Sequence, residues 1–326
     1  MAWRSRYRRV SFAILAVALA ITLGACTRPA TREAEASAGG TIRVAVGIDS
    51  SFATFFLADQ EGMFREAGLN IELVQFGSGG EAVDALASGQ VQLAGSSDTT
   101  TISQLRQNPD MRAIFAYEAS GDYIKVVLRN GIQTAADIEK IGFVPGLGQV
   151  STDKYLRANG IAADSVEMIA ATPSDMPALL ARGDIDGYVL WEPWPTAAVT
   201  QGIGRVVGVT GDFDWIYHHW AVSTDSWLAK NPAEAQRFAQ VLAAAGERVE
   251  QDPARAAAAT RTAVNVDDEQ TLVAIREIDF RVTNLTDEDV DSAQQIVDFY
   301  QDIGVLSEQP DLRSAMLLDW YKEEKK

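Results

Sequence analysis

The chain is predicted to be an α/β protein of two hinge-linked αβ lobes with a helical C-terminal stretch, and three observations predict it. Short apolar strands alternate with amphipathic helices from Thr41 to about residue 120. The same alternation restarts near residue 124 and runs to about 215, and from Pro232 onward the pattern is mostly helical. Strand–helix–strand repetition calls for mainly parallel pairing, because the connecting helix must pack back on its sheet. A pattern that restarts after one sheet-sized block calls for a second sheet. The boundaries expected are 41–120 plus 221–326 for lobe 1 and 121–220 for lobe 2, with chain crossings near Gly121 and His218.

Taken in order, Thr41–Val46 reads as a strand and Ala53–Ala67 as a helix, with Phe56, Leu57, Met63 and Phe64 on one stripe and Gly68 as its stop. Ile71–Phe76 is a second strand, Gly77–Gly80 a turn, Glu81–Ser88 a helix and Val91–Ala94 a third strand. Ala113–Glu118 and Ile124–Leu128 follow as strands, then Ala135–Lys140 as a short helix and Ile141–Val144 as a strand. Thr152–Asn159 and Pro173–Arg182 are helices that frame the strand Val166–Ile169. Gly187–Leu190, Val206–Gly208 and Trp220–Ser223 are the last strands. The closing helices are Ala233–Gln251, Pro253–Val264, Asp268–Ile278 and Asp287–Gly304.

The N-terminus points to a compartment. Arg4, Arg6, Arg8 and Arg9 precede an apolar run, Phe12–Leu23, that is too short to span a bilayer and suits a signal segment. It ends in Leu23-Gly24-Ala25-Cys26, which resembles a bacterial lipobox, so residues 1–25 are expected to be a lipoprotein signal peptide and Cys26 the lipidated residue. Cys26 is the only cysteine, which excludes an intramolecular disulfide. Residues 26–40, rich in Ala, Thr, Ser, Glu and Gly, read as a flexible tether. The expected location is extracytoplasmic, lipid-anchored to a bacterial membrane.

The chain holds 28 basic and 45 acidic residues, a net charge of −17, and four of the arginines lie in the leader. So negative a surface disfavours nucleic acid and anionic lipid as partners, although a pocket can differ locally from the whole.

Motifs spread over the whole chain carry a family resemblance. They are Leu57-Ala58 through Gly62-Met63-Phe64 to Gly68-Leu69-Asn70-Ile71-Glu72, then Ala85-Leu86-Ala87-Ser88-Gly89-Gln90-Val91-Gln92 and Gly95-Ser96-Ser97-Asp98. In the second block Leu179-Leu180-Ala181-Arg182-Gly183-Asp184-Ile185-Asp186-Gly187 leads into Trp191-Glu192-Pro193-Trp194. In this order and spacing the chain resembles the solute-binding lipoproteins of ABC importers of the nitrate/sulfonate/taurine type. The resemblance implies a two-lobed periplasmic-binding-protein fold, capture of a small polar organic molecule (a sulfonate, carboxylate or nitrogen heterocycle), and delivery to a membrane permease and its ATPase. It also implies a monomer without catalytic residues, cofactor or metal. A ligand sensor serving a membrane receptor fits the same pattern. A pyrimidine-related enzyme of similar fold is disfavoured, because its cysteine-rich motif is missing and no nucleophile elbow or P-loop is present.

Ligands of open α/β sheets bind beyond the carboxyl ends of strands, near helix N-termini. Four loops are candidates: Asp49–Phe52, Gly77–Gly80, Ser96–Thr99 and Gly148–Thr152. They offer Ser51, Phe52, Ser78, Gly79, Ser97, Asp98, Ser151 and Thr152, although capping and turn chemistry use the same residue types. Trp191 is expected to stack on the ligand and Glu192 to bond a donor, with Trp194 the better candidate for the core. Asp98, Glu118 and Asp122 favour an amine, amidine or heterocyclic N–H if they face the cleft, and not if they cap helices or pair with Lys125 or Arg129. His218 and His219 fall at the expected second crossing, without the recurring spacing of a metal site.

Overall fold

The structure, a computed structural model, describes residues 40–323, so the leader, Cys26 and nearly all of the tether lie outside the described residues. The strands are β1 (Ile42–Val46), β2 (Ile71–Gln75), β3 (Leu93–Ser97), β4 (Met111–Ser120), β5 (Ile124–Arg129), β6 (Lys140–Phe143), β7 (Glu167–Ala170), β8 (Gly187–Trp191), β9 (Gly204–Val209) and β10 (Tyr217–Thr224). They form two five-stranded sheets, ordered β2-β1-β3-β10-β4 and β7-β6-β8-β5-β9. Within the first, β1 pairs in parallel with β2 and β3, while β10 runs antiparallel to β3 and β4. Within the second, β6 pairs in parallel with β7 and β8, while β5 runs antiparallel to β8 and β9. In each sheet the antiparallel strand is the one that arrives from the other lobe.

The helices of the first two blocks are α1 (Ala53–Gln60), α2 (Met63–Glu66), α3 (Gly79–Ala87), α4 (Asp98–Leu105), α5 (Leu147–Ala158), α6 (Met176–Arg182) and α7 (Trp194–Thr200). After β10 come α8 (Asp225–Lys230), α9 (Pro232–Gln251), α10 (Pro253–Val264), α11 (Asp268–Arg276), α12 (Asp287–Asp302) and α13 (Leu312–Ala315). This C-terminal stretch returns to the first lobe. Phe238 of α9 stacks on Phe64 with ring centroids 5.8 Å apart and meets Phe55 at 6.0 Å, so aromatic burial docks the stretch. Truncating a core aromatic of this kind costs about 3–5 kcal/mol. Isolated bridges from Asp279, Thr283 and Met316 also cover β4, the strand at the rim of its sheet, and so satisfy an edge that would otherwise recruit other chains.

Two segments link the lobes, 121–123 and 210–216, and they touch. The Gly211 N–H donates to the Gly121 carbonyl at 2.6 Å, and Thr210 Oγ1 donates to the same oxygen at 3.0 Å. A Cβ on either glycine would press on the other's backbone at 3.2 Å, which is why neither carries a side chain. The return strand begins at Tyr217, a few residues before the boundary expected at 220–221. His218 and His219 therefore sit inside β10 and not in a crossing.

Local physics explains where elements differ from the expectation. The helix expected over 53–67 breaks at Gly62, whose φ of 71° only glycine adopts without strain. Helix α4 escaped the sequence reading because Thr99-Thr100-Thr101 is a poor helix former; burial and the Ser97 cap, which accepts from Thr100 N at 3.2 Å, override that propensity. The loop expected at 148–152 is instead the first turns of α5. The turn falls earlier, at Gly146 with φ 86°, and Thr152 Oγ1 back-bonds to the Gly148 carbonyl at 2.7 Å inside the helix.

Candidate interlobe binding site

The strand directions bring the ends of β1, β3 and β4 and the start of β10 to one edge of the first sheet. The end of β8 and the start of β5 occupy the facing edge of the second. Between them lies a polar cluster in an otherwise apolar interior. Asp49 Oδ1 accepts from the Ser51 N–H at 2.9 Å and from Tyr123 Oη at 3.3 Å. Tyr123 Oη also lies 3.2 Å from the Glu192 carbonyl, so one hydroxyl reaches both lobes. Glu118 of β4 is 1% exposed, and its Oε1 lies 2.6 Å from His219 Nδ1 on the neighbouring strand. Tyr117 Oη meets the same nitrogen at 3.2 Å. The Glu118 carboxylate is met by His219 and by the Ser51 side chain, which also reaches the hydroxyl of fully buried Tyr217.

Burial dominates the electrostatics. It raises the carboxyl groups of Asp49 and Glu118, with the nearby His219 charge opposing the shift in both. It also raises Asp98, opposed by His218. For His219, burial pushes the imidazolium down, but the carboxylates of Glu118, Asp49 and Asp98 outweigh it and hold the ring above its ordinary value. Tyr117, Tyr123 and Tyr217 are driven well above the usual phenol range by burial and by the surrounding carboxylates, so they act as neutral donors.

Each expected site residue has a definite place. Ser51 donates its N–H to Asp49 and its side chain lies among Glu118, Tyr123 and Tyr217. Phe52 is buried, with its ring 6.2 Å from Tyr117 and 5.8 Å from His219, and it fills space left by Gly47 and Gly95. Ser78 caps α3 through the Glu81 N–H at 3.3 Å, at the end of the sheet's outermost strand, and Gly79 adjoins Ser96. Ser97 bonds the hydroxyls of Thr99 and Thr100. Asp98 accepts the Thr99 and His218 N–H groups at 2.6 and 3.2 Å, so it serves the chain's own amides. Ser151 is fully buried in α5.

The second-lobe residues have partners of their own. Glu192 Oε1 pairs with Lys125 Nζ at 2.7 Å, and its Oε2 accepts the Thr196 N–H at 3.2 Å. Lys125 also reaches Glu277 at 2.8 Å, so Glu192 belongs to an ion triplet that joins β5 to the C-terminal stretch. Trp191 and Trp194 are both half-buried, and it is Trp191 that packs against two apolar clusters and Trp194 against one.

The sequence reading weighed Glu118 as a charge near the cleft and put His219 at a crossing, without counting either as a ligand-binding residue, and it left out Tyr117, Tyr123 and Tyr217. Their signal was available: polar residues at the ends of strands whose other positions are apolar. Among the described residues no group of His, Cys, Asp and Glu is arranged to hold a metal ion, and no helix is long and apolar enough to cross a membrane.

The NMT1-like family model matches residues 40–263. The taurine-binding periplasmic protein of Escherichia coli K12 is 26% identical over 211 residues, 61% of this chain and 64% of that protein. A putative aliphatic sulfonates-binding protein of the same organism is 26% identical over 142 residues, 42% of this chain and 44% of that protein. The chain thus aligns with less than two thirds of the length of either curated relative. In three dimensions it resembles the periplasmic aliphatic sulphonate binding protein SsuA of Escherichia coli, with a TM-score of 0.76 at 18% identity over 85% of this chain and 97% of that one. The chain belongs to the NMT1-like family and has the two-sheet α/β fold of periplasmic binding proteins.

Proposed function

We propose that this protein is the extracytoplasmic solute-binding component of an ABC importer. It captures a small polar organic molecule between its lobes and passes it to a membrane permease. The observation that carries this reading is the buried polar cluster between the carboxyl edges of two sheets, spanned by two glycine-containing crossings. Such an arrangement suits closure around a ligand: contacts made only when both lobes engage favour the closed state. Ser51 and Trp191 lie on opposite lobes and would contribute to those contacts. Cys26 would hold the protein at the membrane by a lipid, with 27–40 as its tether. Hydrolysis belongs to the importer's ATPase, so the bound molecule is released chemically unchanged. The test is small-angle scattering with and without members of a panel of sulfonates, carboxylates and nitrogen bases. A ligand that binds should shrink the radius of gyration and be recovered intact. Binding with no change in shape, or recovery of a converted product, would contradict the reading.

A further inference from the structure

We infer that the Lys125–Glu277 ion pair is a latch between the lobes, which sets how far the cleft stands open without ligand. The inference rests on the solute-binding reading and names what fixes the resting position of its clamp. Helix α11 belongs to the C-terminal stretch and packs on α10 and on the Ser50–Phe52 turn of the first lobe. It nevertheless meets the second lobe at both ends. Its first turns share a small cavity with Glu192 and Pro193, to which Gln270 and Thr271 contribute from the helix and Asp49 and Ser50 from the turn after β1. Just past its last residue, Glu277 Oε1 lies 2.8 Å from Lys125 Nζ.

The two halves of this pair are held by different lobes. The Glu277 carbonyl accepts the Ser120 hydroxyl at 2.6 Å, and Asp279 bridges Ala119, so β4 fixes the backbone that presents the carboxylate. Lys125 lies in β5, between β8 and β9 of the second sheet. Ser120 Oγ also accepts the N–H groups of Asp122 and Tyr123, where the first crossing begins, so the latch stands beside the pivot.

The charges make the pair reversible. Lys125 has a second carboxylate, Glu192, at 2.7 Å on its own lobe, so separation from Glu277 leaves no buried cation unpaired. The Glu277 side chain is 22% exposed and needs little movement to regain water. With the lobes together, two carboxylates surround one ammonium, and their mutual repulsion offsets part of the attraction. An interaction so balanced favours the closed arrangement without locking it, as release of a ligand requires.

Small-angle neutron scattering on the full-length, ligand-free protein in contrast-matched detergent tests this. Glu277→Gln should shift the closed-to-open ratio about fivefold toward open and raise the radius of gyration. Glu192→Gln removes a carboxylate from the same triplet but leaves the pair that crosses the lobes, so the radius should stay at the wild-type value or shrink. A merely structural role for the triplet would not give the two variants opposite responses. If Glu277→Gln does not fold, Glu277→Asp takes its place: it keeps the charge but shortens its reach by one methylene, and it too should raise the radius. A radius unchanged by the Glu277 variant, or raised equally by Glu192→Gln, overturns the latch. No ligand is added, so either result leaves the solute-binding reading to stand or fall on its own panel.

Discussion

His219 Nδ1 stands 2.6 Å from Glu118 Oε1, joining β10 to β4 at the edge that faces the second lobe. The two residues are cross-strand partners in the ladder, so the backbone register brings them together before any side-chain choice is made. Both are buried, which makes the proton they share a property of the pair.

Stability should therefore fall as pH rises through the neutral range. Asp49, Asp98, Glu118 and His219, which face one another from the β1 turn, α4, β4 and β10, all shift upward. The folded chain then binds more protons than the unfolded one, so the slope of unfolding free energy with pH is negative. The contribution of His219 is complete below its unfolded value of 6.5 and is lost as pH passes its raised folded value. The carboxylates act in the same direction from 3.8 and 4.5 upward. Asp186 and Asp279, whose values are lowered from 3.8, reverse the slope only in more acidic solution. The ligand-free protein should melt a few degrees higher at about pH 5.5 than at about pH 8. A flat or rising melting curve over that range would refute the assignment.

Lys125 sits between Glu192 and Glu277, all three largely or partly buried. Lys125→Met would leave two carboxylates facing each other without a counter-charge. Removing one partner from a buried ion network costs about 3–5 kcal/mol, and the partial exposure of Glu277 places this case toward the lower end. Urea denaturation should show that loss. Lys125→Met/Glu192→Gln should recover part of it, and no recovery would mean that the triplet is not what Lys125 stabilises.

The two-sheet architecture was legible because strand and helix periods differ and because the alternation restarts near residue 124. What escaped reading was long-range. Asp98 sits in a serine- and threonine-rich loop pattern that fits a ligand site, but the β3–β10 pairing brings the His218 N–H to its carboxylate. Glu192 sits in an aromatic motif, yet Lys125 claims it from a strand distant in sequence. Tyr123 and Tyr217 gain meaning only because the crossings bring both to the cleft. A carboxylate's role depends on which cation reaches it first, and sequence spacing carries no record of that.

Gly146 caps α5 with φ 86°, and a Cβ there would collide with Thr100 Oγ1 of α4. This contact joins the two lobes, so Gly146→Ala should disturb their closed arrangement more than either lobe's interior. Ligand affinity is expected to fall by about 1–3 kcal/mol, with left-handed strain as a further cost to folding. Thr100→Ser keeps the hydroxyl that Ser97 bonds while removing a methyl and should be nearly neutral. A neutral Gly146→Ala would show that the lobes do not need this contact.

Replacing Cys26 with Ser should move the protein from the membrane to the soluble fraction, since the proposed thioether to lipid could no longer form. Fractionation after a high-salt wash reads this directly, and a variant still in the membrane fraction would remove the lipid anchor from the proposal.

Trp191 is the most demanding case, because its side chain has two possible duties. It ends β8 opposite Ile124 of β5, packs against two apolar clusters, and keeps part of its surface exposed. A fully buried Trp truncated to Ala would cost about 3–5 kcal/mol of stability. Because this one is only partly covered, Trp191→Ala should cost about 1–3 kcal/mol in folding. The exposed part of the ring is available to a bound molecule, so affinity should fall by about 1–3 kcal/mol as well. Trp191→Phe separates the duties: it retains much of the packing while presenting a smaller platform, so stability should recover more than affinity does. Melting temperature without ligand and calorimetric affinity per folded molecule together decide the assignment. If Trp191→Ala loses the full core cost while affinity per folded molecule is unchanged, Trp191 is a packing residue and the cleft's platform must be sought among Tyr117, Tyr123 and Tyr217.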